Sequence, residues 1–233
     1  MSGLSAHKQP ARVQEMFGRI APRYDLMNRL MTLNQDQRWR RFVIRRVELP
    51  PGGRLLDIGT GTGDLAQQAR RQHPRAEITA ADFTLPMIQV GRERFPEGGF
   101  HWTASDSLHL PFPEGSYDGV VSGFLLRNLP DLHRGLQEQY RVLKPGGRLV
   151  ALDTTRPPRS PLSPLINLYL HRIIPLLGRI VTGQPEAYRY LPETTEGFLR
   201  AERLTALLAA VGFRKVNFRR FMFGMVAVHW GEK

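Results

Sequence analysis

The sequence predicts an α/β fold: a seven-stranded, mostly parallel sheet with helices on both faces and an antiparallel strand at its C-terminal end. Three observations predict it. Short β-rich runs alternate with helical patterns through the middle of the chain, as strands joined by crossover helices do. The first of these runs, Leu55-Leu56-Asp57-Ile58, passes through an acid into a turn with Gly59, Gly61 and Gly63 before a helical pattern starts at Leu65. Two further β runs with no helix between them close the sequence, which fits an antiparallel hairpin.

Helices are expected over 12–20, 24–31 and 38–47, and Pro50-Pro51-Gly52-Gly53 separates them from a strand over 54–59. A helix over 65–72, a strand over 77–82 and a helix over 87–94 complete the first strand-helix-strand unit. Strands follow at 100–105, 117–123 and 147–154, with a last crossover helix over 132–143 that Lys144-Pro145-Gly146-Gly147 should stop sharply. Residues 155–198, rich in Leu, Ile, Pro and Tyr, are longer than a sheet connection needs. They read either as a lid with an apolar inner face or as two packed helices covering the sheet edge. A helix over 199–211 and β runs over 215–222 and 225–230, joined at Gly224, end the chain. The expected organisation is a helical cap (1–50), a core (51–154), a helical lid (155–198) and a helix and hairpin completing the core sheet (199–233).

With 233 residues and no linker or repeat, the chain can bury one full core. The absence of cysteine excludes disulfides and thiol catalysis and fits a reducing cytosol. The opening MSGLSAHKQPAR has no apolar core of the export-signal kind, so a cytoplasmic location is expected. The most membrane-like stretch, 162–181, carries His171, Arg172, Pro175 and Arg179, which argues against a span. A net charge of +12, from 33 Lys+Arg against 21 Asp+Glu, is carried almost wholly by arginine. Its densest cluster, Arg38, Arg40, Arg41, Arg45 and Arg46 around Trp39 and Phe42, mixes charge with apolar anchors as an interfacial helix would. No RNA-binding signature accompanies it. The expected setting is the inner face of the cell membrane, peripherally attached through anionic lipid, with no nucleic acid and no metal. Solvated arginine faces would explain the charge equally well.

The glycine turn carries the chemistry. A dinucleotide fingerprint needs a third glycine three residues past the second, and Asp64 stands there. The G-x-G-x-G spacing resembles instead the S-adenosylmethionine (SAM) turn of Rossmann-like class I methyltransferases. Asp57 and the three glycines would then form the turn. Asp82, ending the next β run, would accept the ribose hydroxyls, its alternative being to cap the next helix. FGRIAPRYDLMN at 17–28, LPFPEGSYD at 110–118, LRNLPD at 126–131, YRVLKPGGRL at 140–149 and YRYL at 188–191 together resemble the C-methyltransferases that finish menaquinone or ubiquinone. The chain departs from that pattern at Thr32 and Asp36, where Ser and His are expected, at Gly123 and Leu125, and at Asp153-Thr154-Thr155. The resemblance implies SAM as cofactor, held by Asp57, Gly59, Gly61, Thr62, Gly63, Asp82, Asp106 and Ser107. It implies a prenylated quinol as acceptor, most of all demethylmenaquinol, with Tyr24, Met27 and Tyr188 against it.

A quinone ring is too electron-poor to attack a methyl group, so the acceptor should be the reduced quinol losing a phenolic proton, with polar groups near that hydroxyl. Arg127 and Asn128, after the fourth strand, could stabilise a phenolate and orient a water. Their alternatives are an ion pair and a helix cap. Asp153, ending the fifth strand, and His171, in the insertion, are the candidate proton acceptors. Other readings stay open on the sequence alone: another phenolic or apolar acceptor, including a benzoquinol, a SAM-binding scaffold of a quinone-assembly complex, and RNA methylation. A homodimer is left open.

Overall fold

The computed structural model describes residues 10–158, 161–184, 188, 192 and 194–233. Three helices come first: α1 (Pro10–Ile20), α2 (Tyr24–Thr32) and α3 (Asp36–Val47). Helix α3 starts at Asp36, earlier than the sequence suggested, because Asp36 is buried and binds Arg40 one turn on, so the first turn is held by its own side chains. The core then alternates β1 (Arg54–Ile58), α4 (Asp64–Gln72), β2 (Glu77–Asp82), α5 (Leu85–Arg94), β3 (Phe100–Ala104), β4 (Tyr117–Gly123), α6 (Leu132–Val142) and β5 (Leu143–Thr154). After the insertion, α9 (Ala201–Val211) leads into β6 (Arg214–Phe221) and β7 (Val226–Glu232).

The seven strands order as β3-β2-β1-β4-β5-β7-β6. The first five are parallel, and β7 runs antiparallel to both β5 and β6. The order reverses at β1 and β4, so the carboxyl ends of these two strands open the crevice where such sheets bind ligands. Residues 144–147 do not form a turn ahead of the fifth strand, as their Pro and Gly content suggested. They lie inside β5, where the pairing jumps from Tyr117 opposite Leu143 to Gly119 opposite Arg148, a bulge that absorbs the proline without a ladder bond.

The sheet buries an apolar layer on each face. One holds Val43, Leu55, Ile78 and Val121 under α3 and α4, the other Leu56, Val120, Leu136 and Leu208 under α6 and α9. The insertion carries α7 (Ser163–Leu168), a π-helical turn (Tyr169–Ile173) and α8 (Ile174–Thr182). Its inner residues Ile166, Leu170, Ile174 and Tyr188 bury against Ile20, Met27 and Met31 of the cap and Met225 of the sheet, a third apolar cluster that joins cap to lid. The described part of the insertion is thus packed on the cap, as the two-helix expectation had it.

Candidate functional site

A cleft of about 890 Å³, including its open mouth, runs along the carboxyl ends of β1, β2 and β4. The glycine turn forms its floor. Gly61 sits at φ +57, where a side chain is strained, and a Cβ there would project into open space with no atom within 4 Å. Gly63, at φ +88, serves the opposite side: a Cβ would meet Trp102 at 2.7 Å, so glycine lets the start of α4 pack on β3. Asp57 lies behind the turn, fully buried. Its Oδ2 accepts from Thr60 Oγ1 at 2.7 Å and from Ala66 N at 3.1 Å, which ties the turn to α4. Burial, with the like charge of Asp82 added, outweighs these hydrogen bonds and the more distant Arg40 and pushes its carboxyl up to about 7.

Asp82 ends β2 at the rim of the cleft. One carboxylate oxygen accepts from Gly61 N and the other from Thr84 N, each at 2.7 Å, and burial raises its carboxyl above the ordinary range. Gly59, Gly61, Asp82, Asp106 and Ser107 line the cleft together. Asp57, Thr62 and Gly63 do not. They lie behind the turn, where the Asp57 and Thr62 side chains hold it and Gly63 lets α4 pack, a division that spacing could not reveal.

The sequence reading missed what holds Thr62. Its hydroxyl donates to Asp25 of α2 at 2.8 Å, and Arg94 of α5 reaches Asp25 at 2.6 Å, Thr62 Oγ1 at 2.8 Å and Asp64 at 3.0 Å. Burial first, and then the like charge of Asp64, raises the Asp25 carboxyl. Arg40 joins Asp64, at 3.5 Å, to Asp36. The cap is thus wired to the glycine turn by a chain of charges, buried at Asp36 and Arg40 and half-buried at Asp25, Asp64 and Arg94. Asp25 stands within the YDLMN string, but nothing local in the sequence marks Arg94.

This wiring corrects the arginine cluster. Arg40 is 6% exposed and internal, Trp39 and Phe42 pack on Phe221, and Arg46 stacks over Trp230 at 4.1 Å. Only Arg38, Arg41 and Arg45 are exposed, so α3 lies on the sheet and does not present an apolar face.

At the far end of the cleft, Phe124, Leu125 and Asn128 follow β4. Arg127 turns inward and pairs with Asp153, Nη1 to Oδ1 at 2.6 Å, and its backbone N–H donates to the other oxygen at 3.2 Å. Asp153 also accepts from Thr154 N at 2.7 Å. With one oxygen on the Arg127 guanidinium and the other on its backbone N–H, Asp153 anchors Arg127, an arrangement that speaks against the proton-acceptor role the sequence suggested. Asn128 Nδ2 donates to Phe124 O at 3.0 Å; the cap of α6 is Asp131. His171 is not at the site: it is exposed on the lid, Nε2 at 2.7 Å from Glu196. Of the expected acceptor contacts, Tyr24 lines the cleft beside Phe17, whereas Met27 and Tyr188 are buried in the cap–lid cluster. Tyr188 packs on Gly178, and burial raises its phenol.

The site residues fit an adenosyl ligand: a carboxylate facing a diol-sized opening, a turn without Cβ, and an apolar wall from Phe83 and Leu108. The chain matches the model of the ubiE/COQ5 methyltransferase family over residues 5–233. It is 45% identical to the ubiquinone/menaquinone biosynthesis C-methyltransferase UbiE of Desulfotalea psychrophila, over 95% of this chain and 90% of that one. It is 42% identical to the demethylmenaquinone methyltransferase of Thermus thermophilus, over 94% of this chain and all of that one. Among solved structures it is similar to a SAM-dependent methyltransferase from Thermotoga maritima, described as a possible histamine N-methyltransferase. The TM-score is 0.64 and the identity 20%, over 94% of this chain and 99% of that one, which bears on fold alone.

Proposed function

The chain belongs to the ubiE/COQ5 methyltransferase family, and on that premise we propose that it transfers a methyl group from SAM to a ring carbon of a prenylated quinol, foremost demethylmenaquinol. The observation that carries the cofactor half is the pairing of Asp82 with the open Gly61 turn in one cleft. When bound, SAM would supply an electrophilic methyl group on a sulfonium, to be released to the ring carbon with the C–S bonding pair returning to sulfur. The leaving sulfur needs no acid.

The residues position and exclude water. Asp82 takes the ribose hydroxyls, and Gly61 admits the chain of the cofactor against the backbone. Phe17 and Tyr24 of the cap close over it, held by the Asp25–Arg94–Asp64 network. On the acceptor side the phenolic proton passes to water before attack; after attack the ring proton passes to water and the oxygen regains one, so the aromatic quinol is restored with one proton released overall. Arg127, fixed by Asp153, stabilises the phenolate. Mass spectrometry of quinones in cells lacking the gene tests this: demethylated menaquinone should accumulate, and an unchanged quinone pool contradicts the reading.

The working place follows from the substrate, which is confined to lipid, while no helix among the described residues is long and apolar enough to cross a membrane. The reading assigns peripheral attachment, through anionic lipid, to the outer rows of α2 and the lid. Leu26 and Leu30 are exposed on α2 and Leu33 just after it, and Leu165, Leu168, Leu176 and Ile180 on α7 and α8, with Arg29, Arg172 and Arg179 exposed among them.

A further inference from the structure

Past the far wall of the cofactor cleft lies a second cavity of about 530 Å³, including its open mouth, between α2, the π-helical turn, α8, the segment after β4 and the Met222–Val226 reversal. Met31, Trp39, Leu170, Ile174 and Met225 make most of its surface apolar. Six polar side chains interrupt that surface: Thr32 and Tyr169, whose hydroxyls bond Asn28 O and Met31 O, and Asn28, Arg127, Thr154 and Thr195, these last four at least nine-tenths buried. Each of these four carries a polar atom that is shut off from solvent and has no hydrogen bond of good geometry in the protein: Asn28 Nδ2, whose hydroxyl neighbour is Tyr24, Arg127 Nε, Thr154 Oγ1 and Thr195 Oγ1. A buried polar atom left unpaired is costly, and natural interiors hold few of them. Four on the lining of one apolar cavity mark a place prepared for a ligand that brings its own oxygens.

The chemistry of the four narrows that ligand. Asn28 Nδ2 and Arg127 Nε can only donate, the threonine hydroxyls can donate or accept, and the surroundings admit a flat apolar body. The guanidinium favours an oxygen that carries or gains negative charge. A single residue, Phe124, lines both this cavity and the cofactor cleft. It is held at φ +61, with its N–H bonded to Leu152 O at 2.7 Å and its carbonyl bonded by Asn128. That strained backbone, pinned on both sides, fixes the partition between the two spaces.

We propose that the second cavity seats the oxygen-bearing ring of the acceptor, its oxygens on Arg127 Nε, Asn28, Thr154 and Thr195, and that the reacting carbon meets the methyl donor at the Phe124 partition. This rests on the quinol reading above and assigns that substrate its place.

The test uses full-length protein, with 2-prenyl-1,4-naphthoquinone as the binding probe and its dithionite-reduced quinol as the methyl acceptor. Bound naphthoquinone quenches tryptophan fluorescence, and Trp39 in the cavity wall should report it, so Trp39→Phe should remove the quench. In Thr154→Val/Thr195→Val no protein hydrogen bond is lost, so the melting temperature should stay level or rise. The naphthoquinone Kd and the quinol KM should both rise by about tenfold, with SAM affinity within about twofold, as the loss of two neutral hydrogen bonds predicts. Ile174→Phe, which narrows the cavity, should likewise weaken the quinone and spare SAM. If the wild-type protein methylates the quinol but these variants keep its Kd and KM, water alone fills the cavity and this proposal falls while the C-methylation reading stands. If the wild-type protein transfers no methyl to the quinol, the reading and the proposal fall together.

Discussion

Replacing Asp82 with alanine isolates the cofactor contact most cleanly. In the structure each carboxylate oxygen already accepts one backbone N–H, from Gly61 and from Thr84, and each retains lone pairs toward the cleft. A ribose diol would use both. Hydrogen bonds to a charged acceptor are worth about 1.5 to 3 kcal/mol, and two acting on one group do not add fully, so the variant should lose at least that much. The SAM Kd should therefore rise by roughly tenfold to over a hundredfold. Asp82→Asn keeps one acceptor oxygen and should fall between variant and wild type. Titration calorimetry with SAM and with S-adenosylhomocysteine measures both, and cooperative thermal melting shows that the variants are folded. Folded Asp82→Ala protein that binds SAM within twofold of wild type would refute the placement of the ribose.

Other perturbations have equally definite outcomes. Arg40→Ala leaves the buried Asp36 without its cation, while Asp64 keeps Arg94, and should destabilise the protein by about 3 kcal/mol, whereas Arg38→Gln or Arg45→Gln should change stability by less than about 0.5 kcal/mol, both read by urea unfolding. Folded Asp57 keeps its proton up to about 7, while the unfolded chain releases it near the ordinary carboxylate value, so this group withdraws stability as pH rises from about 4 through 7. Asp57→Asn should therefore gain on wild type across that window and level off above it; a constant difference would contradict the burial argument. His229 has the opposite sign, since burial lowers it to about 4 while the unfolded imidazole takes a proton near 6.5. Acidification across that interval should cost wild type more than His229→Gln, as paired unfolding curves would show. For the membrane, Leu165→Ser/Leu168→Ser/Ile180→Ser should release the protein from anionic vesicles in co-sedimentation. Arg38→Gln/Arg41→Gln/Arg45→Gln should remove only part of the salt-sensitive binding. Equal loss from both would return the contact to α3.

What could be read in advance was local. The glycine turn and Asp82 are separated by one strand-helix-strand unit whose length the fold dictates, so their meeting was legible. The strand alternation was too, because apolar periodicity and Pro/Gly punctuation are properties of neighbouring residues. The Arg127–Asp153 pair joins residues after adjacent strands, and the sequence offered the ion pair and the catalytic role without choosing. Arg40 was misplaced because charge density outweighed phase: Asp36, Arg40, Val43 and Val47 follow helical spacing and share the buried side of α3. The same pair accounts for the aspartate at position 36, where a histidine was expected, since it neutralises Arg40. His171 was chosen for its titration range alone, and its exposure on the lid shows how little that range says about position. The second cavity depends on four chain segments meeting, and no local pattern announces it.

The most direct measurement of the central claim is single-turnover transfer from methyl-labelled SAM to short-tail demethylmenaquinone, run in parallel on the oxidised quinone and the reduced quinol. The account predicts one labelled methyl on a ring carbon of the product, seen by mass spectrometry and NMR, formed from the quinol and not from the quinone. Absence of a ring-methylated product from the quinol, with SAM bound normally, would contradict it.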